Sequence, residues 1–148
     1  MSMVANQVHK AYSRASHTAP KTQQIVMLYD GAIRFMLQAR EAMERGDVEL
    51  RYRRLVRVGE IVMGLQASID FETGGGVAPI LYDFYSSIDM RILALHQNND
   101  LEQCDSIVAD LREMRNVWAA IHDQQSAPAA STGSHAVAAS PDVGPVSA

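Results

Sequence analysis

Few residues of this chain have the type and spacing for chemistry. Glu41 and Glu44 stand about one helical turn apart. A carboxylate-bridged di-iron bundle needs Glu-x-x-His on two helices, and no histidine follows either glutamate. A c-type haem needs Cys-x-x-Cys-His, and Cys104 is the sole cysteine. Gly74, Gly75 and Gly76 form a run without the Lys and Ser/Thr that would hold a nucleotide's phosphates and magnesium. His9, His17 and His135 fall near the termini or in the C-terminal tail. His96 and His122 lie near C-terminal ends of predicted helices, where the helix dipole favours a cation. A phosphorelay histidine on a helical bundle, the alternative in signalling, needs an exposed mid-helix position beside small and basic residues, which neither offers. The expectation is no catalytic residue, no metal ligand and no cofactor.

Binding is the chemistry left, and the helices must position it. Four amphipathic helices fill the middle of the chain. The first runs from about Ala19 to Glu44, with Pro20 in its first turn and Ile25, Leu28 (or Tyr29), Ala32, Met36, Ala39 and Met43 as its stripe. Gly46 stops it, and Asp47 caps a second helix that reaches about Asp70 through Leu55, Val58, Val62, Leu65 and Ile69. After the triple glycine a third helix starts near Val77, with Leu81, Tyr85, Ile88, Ile92 and Leu95 in line. Asn98 and Asn99 end it. Asp100 with Gln103 makes a capping box for the fourth, which carries Cys104, Ile107, Leu111, Met114, Trp118 and Ile121. Helices of this length with short connections predict an all-α, antiparallel four-helix bundle over residues 19–124. The N-terminal segment, residues 1–18, is too short and polar to stand alone as a helix and should pack on the bundle or stay mobile. Residues 125–148, rich in Ala, Ser and Pro with no aromatic side chain, read as a disordered tail.

With 47% hydrophobic and 20% charged residues the 148-residue chain has globular composition. A net charge of -4 disfavours non-specific binding to nucleic acid or an acidic membrane surface. No stretch has the ~18 consecutive apolar residues that insert into a bilayer. A single thiol and the absence of a signal-peptide pattern make the cytoplasm the expected compartment.

Two surface features point to a partner. Arg51, Arg53, Arg54 and Arg57 cluster on the second helix, as a solvated face paired with carboxylates or as a site for an acidic partner. Only Tyr52 interleaves with them, which argues against nucleic acid. The other feature is a surplus of apolar residues off the core stripes: Val26, Met27, Ile33, Phe35 and Leu37, then Val56 and Met63, then Ile80, Phe84 and Met90. Methionine adapts its shape, and the chain has 8 Met against 3 Phe. A thick core would use such residues, and so would a groove for a partner helix.

At these residues the chain resembles a known family. Gln24-Ile25-Val26-Met27-Leu28-Tyr29-Asp30-Gly31-Ala32 is similar to the first helix of the flagellar export chaperones of flagellin, the FliS family. Ser68 to Gly75, Leu81-Tyr82-Asp83-Phe84-Tyr85 through Met90-Arg91, Asn98-Asn99-Asp100, Arg115-Asn116-Val117-Trp118 and Lys10-Ala11-Tyr12 resemble further family motifs in order and register, from about Lys10 to His122. The chain departs from the pattern at Ala19-Pro20-Lys21, where the family has Ser-Pro-Glu, so that Thr18 becomes the alternative cap. It departs again at His9, where an apolar residue is usual.

The resemblance implies a cytoplasmic, non-enzymatic chaperone. It would bind the disordered C-terminal segment of flagellin, block premature polymerisation and hand the subunit to the flagellar type III export gate. It implies a groove with Ile25, Val26, Met27, Tyr29, Ile33, Val56, Met63 and Met90 as candidate contacts. Tyr12 is the implied gate-docking residue, and the N-terminal segment a cover for part of the groove. Neither nucleotide nor metal is implied, and an open apolar groove also leaves room for weak self-association.

Overall fold

The computed structural model describes residues 3–14 and 19–126, with side chains placed for 3–8 and 21–126. Every regular element among them is a helix: α1 (Met3–Arg14), α2 (Ala19–Arg45), α3 (Val48–Ala67), α4 (Val77–Gln97) and α5 (Leu101–Ser126). The expected tail from 127 onward and the proposed Thr18 cap lie outside the described residues. α5 itself runs two residues past the expected bundle end at 124, ordinary variation for a helix terminus. No helix among the described residues is long and apolar enough to cross a membrane.

α2 packs against both α3 and α5, α4 packs against α3, and α1 lies on α5 and α4, whose direct contact is slight. Ion pairs and hydrogen bonds fix the antiparallel sense. Arg40 pairs with Asp105 and, further back along α2, Asp30 pairs with Arg115. Arg51 near the start of α3 donates to the carbonyl of His96 near the end of α4, at 3.0 Å, and Gln66 near the end of α3 donates to Tyr82 O near the start of α4, at 3.1 Å.

The caps follow the sequence. Asp47 Oδ1 accepts from Leu50 N–H at 3.1 Å, and Asp100 Oδ1 accepts from Gln103 N–H at 3.0 Å. Gly46, at φ 71°, turns the chain between α2 and α3. α3 ends at Ala67, short of the expected Asp70. The cause is Asp70, whose Oδ1 accepts from the backbone N–H groups of Glu72 and Thr73 at 3.0 and 3.1 Å and so folds a turn in place of another helical one. Gly74 is required behind that turn, because a Cβ there would sit 2.5 Å from the Asp70 carbonyl oxygen.

The interior joins Met36, Ala39, Leu55, Val58, Leu81, Ile88, Ile107, Leu111 and Ile121, all essentially removed from solvent. Each large aliphatic side chain so buried contributes about 1.5–3 kcal/mol before entropy is charged against it. α1 forms despite its polarity because Ala5 and Val8 are buried in the same cluster; tertiary packing supplies the stability that twelve isolated residues lack.

Candidate partner-binding site

α2 has the composition of a helix with two apolar faces, and the structure sorts them. Tyr29 faces inward with 0% exposure, away from the outer face of α2, and takes the core-stripe place for which Leu28 was the other choice. Its hydroxyl donates to the Tyr85 hydroxyl at 2.8 Å. Burial, then the charge and hydrogen bond of Tyr85, raise the Tyr29 phenol well above its ordinary value, with Trp118 partly opposing. A tyrosine takes the core position because the pair gives its buried hydroxyl a partner, which leucine would not need.

The outward face of α2 forms one wall of a groove. Gln24, Met27, Leu28, Gly31, Arg34 and Phe35 line it from α2, and Ile61 from α3. Met27 is 64% exposed. At Gly31 a Cβ would meet Ile61 Cδ1 at 3.5 Å, an ordinary van der Waals contact, so the floor of the groove is close without being tight. Phe35 is half-buried beneath three guanidinium groups, with Cζ of Arg34, Arg57 and Arg54 at 5.4, 5.9 and 6.0 Å from the ring centre. One guanidinium over an exposed ring contributes about 0.5–1 kcal/mol, a gain that three like charges at a single ring must share.

The other candidate residues are spread over the surface. Met63 on α3 and Met90 on α4 are 66% and 70% exposed. Val56 is half-buried beside Tyr52, Arg53, Arg54 and Arg57 on the outer side of α3. Val26 and Ile33 are half-buried and pack against the core; seven residues apart, they share one stripe of α2. Ile25 lines a separate small cavity of about 110 Å³ at one end of the bundle, with Leu65, Leu81, Tyr85 and Trp118. Met27 alone of the sequence-derived candidates lines the α2–α3 groove.

Leu28 and Ile61 belong to this groove but were not among the candidate contacts, and Phe35 entered only as surplus. Their signal is spacing: Leu28, Gly31 and Phe35 recur at steps of three and four, one stripe beside the core stripe.

A second seam, between α4 and α5, is filled by α1. A pocket there is lined by Val4 and Ala5 of α1, Phe84 of α4, and Asp110, Glu113 and Met114 of α5. Arg91 ties the two walls together, donating to Asp110 Oδ2 at 2.8 Å and to Ser106 Oγ at 2.7 Å. Tyr12 falls on α1, but its side chain lies outside the described residues.

Among the described residues no group of three or more His, Cys, Asp or Glu is placed to hold a metal. Cys104 is buried, and that burial raises its thiol to about 11. His96 packs on Tyr52, ring centres 5.3 Å apart. Burial first, and then nearby Arg51, lower its pKa, so the helix-end preference for a cation is overridden. His122 Nδ1 lies 3.1 Å from the Thr22 hydroxyl and joins α5 to α2.

The family model "Flagellar protein FliS" matches residues 4–125. A Salmonella typhimurium protein named flagellar secretion chaperone FliS is 31% identical over 123 residues, covering 79% of this chain and 91% of its own. Proteins of the same name from Campylobacter jejuni and Vibrio cholerae are 28% identical over 126 residues and 29% identical over 94. These matches span 84% and 64% of this chain and 98% and 69% of theirs.

Proposed function

The chain belongs to the FliS family of flagellar proteins, which are non-enzymatic secretion chaperones, and we propose that it acts in the cytoplasm by holding the disordered C-terminal segment of flagellin until the flagellar type III export gate receives the subunit. The observation that carries this reading is the open α2–α3 groove, where Met27, Leu28, Phe35 and Ile61 meet solvent and, among the described residues, no further element lies across them. An apolar helix face laid there removes both surfaces from water and keeps the segment from pairing with another subunit. A partner that folds as it binds buries ~1,000–3,000 Å² and offsets part of that gain by ~2–5 kcal/mol of ordering, which leaves firm but reversible binding.

The groove alone is too short for such an area. An extended partner would continue over the exposed Met63 and Met90, and α1 would yield the α4–α5 seam to it, the cover expected of the N-terminal segment. Tyr12 on α1 remains the candidate for docking to the gate. The test is binding of the full chain to flagellin with and without its C-terminal segment, by size-exclusion chromatography and calorimetry. A one-to-one complex that disappears on truncation is expected; equal binding of truncated flagellin would refute the reading.

A further inference from the structure

The α2–α3 groove is apolar inside but ringed by cations. Arg34 of α2 and Arg54 and Arg57 of α3 crowd three guanidinium groups around the single ring of Phe35. Arg53 stands close by on α3. Like charges so gathered repel one another, and the ring's weak attraction is shared among three of them. Of these four arginines only Arg57 has a carboxylate partner among the described residues, Glu60 at 3.2 Å. Arg34, Arg53 and Arg54 have none, and the Nε of Arg54 is buried without a hydrogen-bond partner. Three other arginines, Arg40, Arg91 and Arg115, each pair with a carboxylate across a helix interface. A net charge of -4 makes this collar a local basic field on an acidic protein.

We infer that the groove reads carboxylates as well as apolar side chains: its occupant is an amphipathic helix with acidic residues beside the apolar stripe, and Arg34, Arg54 and Arg57 set its register. The inference rests on the reading that a flagellin segment docks here, and it adds the chemistry by which that segment is chosen. Carboxylates three or four positions apart on a helix are about 5–6 Å from one another at Cβ, a spacing suited to guanidinium groups gathered round one ring. Guanidinium forks chelate carboxylates in two-point fashion. Three guanidinium groups already stand at the Phe35 ring, and a stacking base would compete with them, which favours an acidic helix over nucleic acid.

The test uses the full chain and a labelled synthetic peptide of the C-terminal segment of the flagellin encoded in the same genome. The peptide is made twice, once with its Asp and Glu and once with each changed to Asn or Gln. Affinity is read by fluorescence anisotropy at about 50 and 300 mM salt. The acidic peptide should lose about tenfold or more across that range, and a similar factor against the triple variant Arg34→Gln, Arg54→Gln, Arg57→Gln. The carboxamide peptide should bind several-fold more weakly at low salt and respond to neither change. Arg34→Gln alone, at an exposed position, should shift affinity the same way by a smaller factor, so the test holds even if the triple variant loses its circular dichroism. Equal affinity of the two peptides, indifferent to salt and to Arg34→Gln, would overturn the inference and leave the flagellin reading intact. Failure of both peptides to bind the unaltered chain would overturn both. Displacement of the acidic peptide by a single-stranded oligonucleotide would assign the arginines to nucleic acid and overturn it as well.

Discussion

The α4–α5 seam and the α2–α3 seam are both outer grooves between neighbouring helices, and they are finished differently. α2 and α3 pack closely, whereas α4 and α5 touch only slightly. One is filled by α1, which buries Ala5 and Val8 there. The other keeps Met27 and Leu28 in solvent under a collar of arginines. The difference teaches that exposed apolar surface in this fold is a choice made seam by seam. One groove is covered by a helix of twelve residues from the same chain, and among the described residues nothing covers the other.

The comparison can be broken first at the wall behind the covered seam. Leu111→Ala in α5, at a site with no exposure, should lower unfolding free energy by about 2–5 kcal/mol, measured by urea denaturation. Met63→Ala on the open surface should stay within about 0.5 kcal/mol. If the two were equal, the division between core and surface would be wrong.

The second test releases the cover. Val8→Asp places a charge where a valine is fully buried, and should weaken α1 docking by about 1.5–3 kcal/mol or more. Hydrogen exchange should show lost protection in α1 and persistent protection in α2, α3 and the inner face of α5. If α1 stayed protected, its seat would not depend on the apolar contact.

The third acts on the open seam. Met27→Asp with Leu28→Asp should leave the denaturation midpoint nearly unchanged and weaken binding of the flagellin peptide about tenfold or more, roughly 1.4 kcal/mol. Loss of stability in place of binding would return these residues to the core.

The last effect, absent at neutral pH, concerns Cys104. Its folded thiol, raised to about 11 from 9.0, prefers the neutral form more than the unfolded thiol does. The associated stability is therefore fully present below pH 9 and is lost as pH rises from about 9 toward 11. Cys104→Ala should flatten that decline in a pH series of melting curves. Native protein at pH 8 should also resist alkylation that proceeds once urea is added.

The helices were legible because their information is local. Leu55, Val58, Val62 and Leu65 fall on one stripe of α3 at steps of three and four, and all four are buried. Asp47, Gly46 and Asp100 mark termini by chemistry that acts over three residues. The site was less legible because it depends on which helix lies beside which. Val26 and Met27 are equally apolar neighbours, yet one packs against the core and the other faces water. Tyr29 could be assigned only through Tyr85, 56 positions away. The arginines of α3 read as a solvated face until Phe35 of α2 is seen beneath two of them.

The bundle-end cavity beside Trp118 has a practical consequence. This is the chain's single tryptophan, it is nearly fully buried, and its indole neighbours Tyr29 and Tyr85. The molecule thus carries its own optical probe, set in the interior and away from the residues that line the α2–α3 groove. Emission from that indole will follow unfolding of the bundle without any dye, and a ligand seated between α2 and α3 should leave it almost silent. With a fluorescent label on the peptide, folding (from the indole) and capture (from the label) can then be watched in one cuvette as two separate signals.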